Sequence, residues 1–179
     1  MVHSIINSLK ADLCRYGGVY NKIPKFQKWL RKYQNSNNRF LKLLYKFLFI
    51  VSRNKNFIEI SADTKIGYGL YIGHPFAITI NPDAIIGNNC NIHKGVTIGQ
   101  ENRGKKKGVP IIGDEVWIGI NSTIVGKIKV GNDVLIAPNS YINFDVPDHS
   151  IVIGNPGKII PNDYATKDYI NNKFINNQN

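Results

Sequence analysis

The chain lacks the features that mark secreted and membrane-spanning proteins. Its 179 residues include two cysteines, Cys14 and Cys90, too few for a disulfide framework. No apolar run reaches the roughly 18 residues that a transmembrane helix needs. The first residues do not have the pattern of a secretory signal. We therefore expect a cytoplasmic location.

Acidic residues are almost absent from the first third of the chain. Residues 1–56 hold twelve Lys or Arg and a single acid, Asp12. From residue 57 onward, eleven basic residues balance eleven acidic ones, so the whole net charge of +11 lies in the first third. Nucleic-acid binding is not expected, because no recognised binding module accompanies this charge.

The basic region has the pattern of helices separated by short breaks. Gly17-Gly18 and Pro24 predict two of these breaks. The apolar segment 40–52 places Lys42 and Lys46 four residues apart, on one face of a helix. Such a segment predicts a helix packed against neighbouring helices or subunits. Alternatively, it is a basic amphipathic helix in peripheral contact with an anionic membrane, at the inner membrane face.

Aliphatic residues recur in the middle of the chain with a strict period of six. A helix repeats near 3.6 residues and a strand near 2, so this period fits neither alone. It is typical of a β-solenoid whose coils have flat faces, each made of a short strand and a turn. The thirteen positions are Ile60, Ile66, Ile72, Ile80, Ile86, Ile92, Ile98, Ile112, Ile118, Ile124, Val130, Ile136 and Ile142.

These thirteen positions, which we call the ladder, divide the chain into three parts. Residues 1–56 form a basic helical region and residues 57–161 form an all-β solenoid domain. Residues 162–179 form a C-terminal tail or a short helix. Within the second part, residues 144–161 are rich in Gly, Pro and Asp and predict a turn-rich exit from the last coil.

Two interruptions break the ladder. Ile80 follows Ile72 by eight positions and Ile112 follows Ile98 by fourteen, instead of six. The first interruption forces the backbone out of the regular coil, so a side chain there can point into a cleft. The second is a basic excursion loop over residues 100–111. We expect both interruptions to serve function, because the unbroken runs are explained by the scaffold.

Five motifs decorate the ladder. They are Gly69-Leu70-Tyr71-Ile72-Gly73-His74, Asn89-Cys90-Asn91-Ile92, Gly95-Val96-Thr97-Ile98-Gly99, Val116-Trp117-Ile118-Gly119 and Gly154-Asn155-Pro156-Gly157-Lys158. Together they resemble the hexapeptide-repeat acyltransferases, and most closely the serine acetyltransferase-like group. The resemblance implies a left-handed parallel β-helix and a homotrimer with active sites between subunits. It also implies acetyl-CoA as cosubstrate, bound in a groove between adjacent subunits, and no metal.

The resemblance and the chemistry together select a catalytic histidine. A hydroxyl is a poor nucleophile at neutral pH, so acetyl transfer to it needs a general base such as histidine. His74 matches the family's catalytic base, and Glu59 matches the acid that orients that base, although the family has aspartate there. His93 lies nineteen residues after His74, close to one coil of about eighteen residues, so we expect it to stack near His74. It either lines the acceptor pocket or is structural. His3 and His149 are expected to be incidental.

The resemblance also implies where the coenzyme lies. Gly119 and Ala137, with their neighbours Ile120 and Pro138, match positions where backbone groups meet the pantetheine arm. Lys158 matches the family position near the coenzyme.

The excursion loop carries three consecutive lysines, Lys105, Lys106 and Lys107. In the family this loop closes over the active site of a neighbouring subunit. The lysines would then attract the phosphates of coenzyme A or an anionic acceptor. The alternative is a solvated run of charge.

Three departures from the family pattern concern the acceptor. Serine acetyltransferases hold serine through an aspartate before the catalytic histidine and an Arg-His pair before the loop proline. Here these positions are Gly73, Gly108 and Val109. The pattern is more similar to polysaccharide-cluster members such as the colanic acid acetyltransferases. We therefore expect an O-acetyltransferase acting on a sugar hydroxyl in surface polysaccharide biosynthesis. Serine O-acetylation in cysteine biosynthesis and sugar N-acetylation are the alternatives.

Two further classes share the solenoid. A zinc enzyme of the γ-carbonic anhydrase type needs three converging histidines, and only His74 and His93 lie within the repeats. A binding scaffold without catalysis would give no role to a histidine in an interruption downstream of Glu59. The acetyltransferase hypothesis explains both residues.

Overall fold

The computed structural model describes residues 8–176 and begins with three helices. They are α1 (Ser8–Arg15), α2 (Lys25–Asn35) and α3 (Arg39–Asn54). Gly17 and Gly18, with φ values of 64° and 76°, turn the chain after α1. A 3₁₀ turn over Tyr20–Lys22 leads to Pro24, and α2 begins at the next residue. Both helix breaks predicted from the sequence are confirmed.

The third helix has an exposed apolar side. The Asn38 side chain caps its first turn by accepting hydrogen bonds from the N–H groups of Phe40 and Leu41. Phe49 is the one buried residue of α3. Among residues 8–176, no helix combines the length and hydropathy needed to cross a bilayer. The large apolar residues of α3 that stay exposed are Phe40, Leu41, Leu43, Leu44, Phe47, Ile50 and Val51.

The rest of the described chain winds through fourteen short strands. They are β1 (Lys65–Ile66), β2 (Tyr71–Gly73), β3 (Thr79–Ile80), β4 (Ile85–Ile86), β5 (Asn91–His93), β6 (Thr97–Gly99), β7 (Ile111–Ile112), β8 (Val116–Ile118), β9 (Thr123–Val125), β10 (Lys129–Val130), β11 (Val134–Ile136), β12 (Tyr141–Ile142), β13 (Ser150–Ile153) and β14 (Lys158–Pro161). They stack into three sheets of orders β1-β4-β7-β10, β2-β5-β8-β11-β13-β14 and β3-β6-β9-β12. Apart from β14, each strand pairs in parallel with strands of the adjacent coils. The architecture is the left-handed parallel β-helix that the sequence predicted, with about five coils.

The ladder residues form the core of the coil. Twelve of the thirteen are at most 3% exposed, and Ile66 packs partly buried against the others. The register joins ladder positions of successive coils, as in the pairs Ile66–Ile86 and Ile86–Ile112. Burying one such side chain contributes about 1.5–3 kcal/mol, so this column is the main source of stability.

A buried ion pair fastens the helices to the first coils. Asp12 is 0% exposed and Arg31 is 1% exposed, and Arg31 Nε donates to Asp12 Oδ2 at 2.8 Å. Asp12 also accepts the N–H of Leu70 at 2.8 Å, and Arg31 donates to the Ile66 carbonyl at 3.0 Å. These bonds fix α1 and α2 beside β2.

The excursion loop folds back on the β-helix. Glu101 and Gly108 form an antiparallel bridge around a 3₁₀ turn over Gly104–Lys106. The Lys106 ammonium donates to the carbonyl of Asn143. The loop is therefore attached to the later coils at its tip.

The end of the chain is more regular than the sequence predicted. Instead of a turn-rich exit alone, residues 144–161 contain β13, which continues the second sheet, and β14, which pairs antiparallel to it. A sheet that ends in an open edge exposes unpaired backbone groups, and β14 covers that edge. Residues 162–176 form turns that run back along the β-helix. There the Thr166 hydroxyl donates to the Asp133 carboxylate, and the Phe174 N–H donates to the Asn89 side-chain oxygen.

Candidate active site

One corner of the β-helix gathers most of the candidate site residues. Strand pairing places Gly73 beside His93, and the same register continues to Gly119 and Ala137 in the next two coils. Neighbouring strands lie about 4.8 Å apart, so these four residues span about 14 Å. His93 and the coenzyme candidates Gly119 and Ala137 therefore follow a single edge that begins at Gly73, and we call this edge the corner column.

His74 leaves the corner column at the first interruption. Its φ of 54° lies in the left-handed region, which is uncommon for a residue other than glycine, and its side chain is exposed. The ring opens on a cavity of about 890 Å³ and forms no hydrogen bond within the described part of the chain. Held this way, the imidazole is available to a ligand.

His93 lines the same cavity in a fixed orientation. Its Nδ1 lies 2.9 Å from the Ile118 carbonyl oxygen, which can only accept, so Nδ1 carries the proton. The ring packs against Trp117 in a tilted arrangement, with centroids 4.6 Å apart. Burial lowers the pKa of His93, against the opposing effect of the Ile118 carbonyl, and the nearby His74 lowers it further. His93 is therefore neutral at neutral pH, and its Nε2 is a hydrogen-bond acceptor.

The His93 ring occupies the space beside Gly73. A Cβ at position 73 would lie 2.4 Å from Cδ2 and 2.7 Å from Nε2 of His93. Ordinary carbon contacts are about 3.5–4.0 Å, so no side chain fits at position 73 while the ring stays in place. The family's aspartate at this position is thus excluded by the neighbouring coil.

Glu59 lies on another face of the β-helix. It forms a parallel bridge with Thr79, and its N–H donates to the Ile78 carbonyl at 2.8 Å. Its exposed side chain lines a cavity of about 700 Å³ beside α3. No hydrogen bond joins Glu59 to His74 in the region that the structure describes. The orienting role of Glu59 therefore stays a prediction.

The coenzyme candidates continue the corner column. A Cβ at Gly119 would lie 2.6 Å from the backbone nitrogen of Pro138, so the corner is tight at this point. Ile120 is half-buried and Pro138 is exposed, which leaves an edge along which an extended ligand can lie. Ala137 is the last corner position before β13 and β14, and Lys158 is exposed at the start of β14. All five residues thus follow one edge.

The loop lysines do not meet His74 within one copy of the chain. Lys105, Lys106 and Lys107 are exposed on the excursion loop, and none of them lines the His74 cavity. A role at the site of a neighbouring copy stays a prediction.

The cavity has a second wall that the sequence did not predict. It is formed by the end of α1 and the start of α2, with Arg15, Lys22, Lys25 and Lys28 among its residues. The basic composition of residues 1–56 was the available signal. It could not place these cations beside His74, because that placement depends on the buried Asp12–Arg31 docking.

His149 is not among the residues that line this cavity. His149 Nδ1 is 3.0 Å from Asp133 Oδ2, and this carboxylate raises the pKa of His149. His3 lies outside the described residues. Within residues 8–176, no three His, Cys, Asp or Glu side chains are grouped so as to hold a metal ion.

Comparisons with known proteins agree with the repeat. A family model for the bacterial transferase hexapeptide (six repeats) matches residues 110–143. The serine acetyltransferase of Staphylococcus aureus is 38% identical over 113 residues, which are 63% of this chain and 53% of the relative. The chain thus spans about half the length of the curated relatives it matches.

Solved structures match over more of the chain. Serine acetyltransferase from Neisseria gonorrhoeae, in complex with serine, has a TM-score of 0.63 and 26% identity, covering 86% of this chain and 69% of that one. Serine acetyltransferase from Brucella abortus, in complex with coenzyme A, shares the fold with a TM-score of 0.66 and 23% identity, covering 87% and 65%. The chain thus shares the hexapeptide repeat over residues 110–143 and the coil architecture with these serine acetyltransferases.

Proposed function

We propose that the chain is an acetyl-CoA-dependent O-acetyltransferase with His74 as its general base. The observation that carries this proposal is the corner column, which runs from a cavity holding a free imidazole to the coenzyme candidates. The names of the relatives support acetyl transfer. The coenzyme A in the Brucella abortus structure supports the cosubstrate.

In the proposed reaction, the acceptor hydroxyl attacks the thioester carbonyl carbon of acetyl-CoA. A C–O bond forms as His74 takes the hydroxyl proton, which gives a tetrahedral intermediate and an imidazolium. The intermediate then expels the coenzyme A thiolate by cleavage of the C–S bond. The imidazolium returns its proton to the thiolate, so the base is regenerated and the product is an ester.

His93 is placed to assist this reaction by orientation. Its neutral Nε2 accepts a hydrogen bond from the acceptor, while its Nδ1–H stays bonded to the Ile118 carbonyl. Because His93 lies one coil above Gly73, the two imidazoles face the same cavity. Glu59 is proposed to orient His74, although this needs a rearrangement that brings the carboxylate to the ring.

Three classes of acceptor are compatible with acetyl transfer at this site. The names of the relatives, and the serine in the Neisseria gonorrhoeae structure, favour L-serine over the sugar hydroxyl that the sequence predicts. The residues of the site favour a sugar, since Gly73, Gly108 and Val109 replace the family's serine-binding side chains and His93 fills the space beside Gly73. An amine acceptor, as in sugar N-acetylation, is the third possibility.

The acceptor assay separates these possibilities. Coenzyme A release is measured with L-serine, free sugars and nucleotide-linked sugars, against the hydrolysis of acetyl-CoA alone. Mass spectrometry of the product distinguishes an ester from an amide. Saturable turnover with serine at millimolar concentration refutes the sugar hypothesis. Release no faster than hydrolysis with every acceptor refutes the acetyltransferase proposal.

We also propose a cytoplasmic homotrimer with active sites between subunits. The exposed apolar side of α3 supports an oligomer, because a neighbouring copy would cover it. Lys105, Lys106 and Lys107 would then reach the site of the next subunit. A trimeric mass in light scattering supports this assembly. A monomeric mass, with residues 1–56 binding anionic liposomes at low salt, would favour peripheral membrane contact instead.

A further inference from the structure

The wall of the His74 cavity carries positive charge without any acidic residue. On the β-helix side the cavity is lined by Tyr71 to Pro75 and by His93. On the helical side the lining includes Arg15, Lys22, Lys25 and Lys28. None of the residues that line this cavity is Asp or Glu. A cleft lined by charges of one sign concentrates ligands of the opposite charge.

Arg15 is the most buried of these cations. It is 4% exposed, and its Nε has no hydrogen-bond partner among the described atoms. Nη1 donates to the Asn171 carbonyl at 2.6 Å, and Nη2 donates to the amide oxygen of Asn91. Both partners are neutral, and no carboxylate within residues 8–176 forms an ion pair with Arg15. The Asp12 carboxylate acts on Arg15 without a direct contact and is already paired with Arg31, so the site favours an anion that pairs with Arg15 itself.

The start of α2 adds to the positive electrostatic potential of the cavity. This helix of 11 residues begins at Lys25, and Pro24 provides no side-chain cap. The N–H groups of its first turn and the positive end of its dipole therefore lie at the cavity, beside Lys25 and Lys28. Burial, with the nearby Lys25 and Lys32, lowers the pKa of Lys28, as expected where like charges are held together.

The coenzyme candidates lie on the opposite side of His74. Gly119 and Ala137 stand two and three coils beyond Gly73 toward the C-terminal end, whereas the cationic wall belongs to the N-terminal helices. His74 thus lies between the coenzyme candidates and the cationic wall. Because the coenzyme would occupy one side, we assign the cationic wall to the acceptor.

We propose that the acceptor is a phosphorylated sugar whose phosphate binds to Arg15, Lys22, Lys25, Lys28 and the start of α2. Its hydroxyl then reaches His74. The inference rests on the proposed function and names the class of acceptor. A sugar linked through phosphate to a nucleotide and one linked through phosphate to a lipid share this chemistry.

Binding without acetyl-CoA tests the phosphate site directly. Isothermal titration calorimetry compares N-acetylglucosamine 1-phosphate with neutral N-acetylglucosamine, on the wild type and on the double variant Lys25→Ala/Lys28→Ala. We expect the phosphorylated sugar to bind at least about tenfold more tightly than the neutral one, and the double variant to lose about ten- to a hundredfold. The matched control is Lys65→Ala, an exposed lysine of β1 outside this cavity. Equal binding of the two sugars, or an equal loss in the control, overturns the proposal.

Turnover separates this inference from the proposed function. Loss of acetyl transfer in His74→Ala, with no preference for phosphorylated acceptors, refutes the inference and leaves the acetyltransferase standing. Phosphate binding that depends on the lysines, with full turnover in His74→Ala, refutes the role of His74 as general base and leaves the phosphate site. A rise in the KM for acetyl-CoA rather than for the acceptor in the double variant assigns the lysines to the coenzyme and overturns the inference. Turnover of UDP-N-acetylglucosamine in solution identifies a nucleotide-linked sugar as the acceptor. Turnover of a polyprenyl-diphosphate sugar in vesicles identifies a lipid-linked one.

Discussion

Replacing Gly73 by alanine tests the packing that separates this site from the serine-binding pattern. The new Cβ would lie 2.4 Å from Cδ2 of His93, more than about 1 Å inside ordinary contact. The ring cannot move freely, because Nδ1 is hydrogen-bonded to the Ile118 carbonyl and the ring packs against Trp117. Overpacking of this kind costs about 1–3 kcal/mol.

A double-mutant cycle isolates the part of the unfolding free energy change that comes from the clash with the His93 ring. With His93→Ala in place, the ring is absent and Gly73→Ala should cost less than about 0.5 kcal/mol. The coupling free energy between the two positions should therefore be about 1 kcal/mol or more. Urea unfolding at a fixed protein concentration gives the four free energies. In thermal unfolding, each kcal/mol corresponds to about 2–4 °C in Tm for a chain of this size.

Gly99 provides the matched glycine. A Cβ at Gly99 would lie 3.4 Å from Val125 Cγ1, which is nearly ordinary contact, so Gly99→Ala should be close to neutral. If Gly73→Ala were as mild as Gly99→Ala, or equally costly with and without His93, the packing argument would be refuted. The argument that excludes an aspartate at position 73 would fail with it.

Two other predictions concern the contacts around the site. Asp12→Ala leaves Arg31 buried without its counter-ion and should cost about 3–5 kcal/mol in urea unfolding. Asp63→Ala, which breaks the exposed 4.0 Å contact with Lys46, should cost at most about 1 kcal/mol. Similar costs for both would contradict the docking role of Asp12. Asp133→Asn should lower the pKa of His149 toward its ordinary value of about 6.5, because the Asp133 carboxylate raises it. The stabilisation from a raised histidine pKa is present below about pH 6.5 and is lost as the pH rises through the folded-state pKa. An unchanged His149 titration by NMR would contradict this pairing.

The fold was predictable because its signal repeats in every coil. Each six-residue step places one aliphatic side chain in the core, so Ile92 or Ile118 needs no information from distant residues. Interruptions of the same pattern identified His74 and the excursion loop. The end of the solenoid was less predictable, because β14 reverses direction and obeys no repeat.

The chemical surroundings of His74 were only partly predictable. The spacing of nineteen residues suggested that His93 lies near His74, and the structure places both on one cavity. The sequence could not show that the His93 ring fills the space beside Gly73, since this depends on the Ile118 carbonyl and Trp117. Nor could it bring Arg15 and the α2 lysines to the cavity. Their position follows from buried contacts between segments more than fifty residues apart, such as Asp12 with Leu70.

The most direct test of the central claim is the turnover of acetyl-CoA by His74→Ala with the best acceptor found in the acceptor assay. Loss of a general base lowers the rate by about 10²- to 10⁴-fold, and His74→Ala should show this fall in kcat/KM with an unchanged Tm. His149→Ala, which removes a histidine that does not line the cavity, should keep its activity. Turnover by His74→Ala at the wild-type rate would contradict the assignment of this corner as the active site.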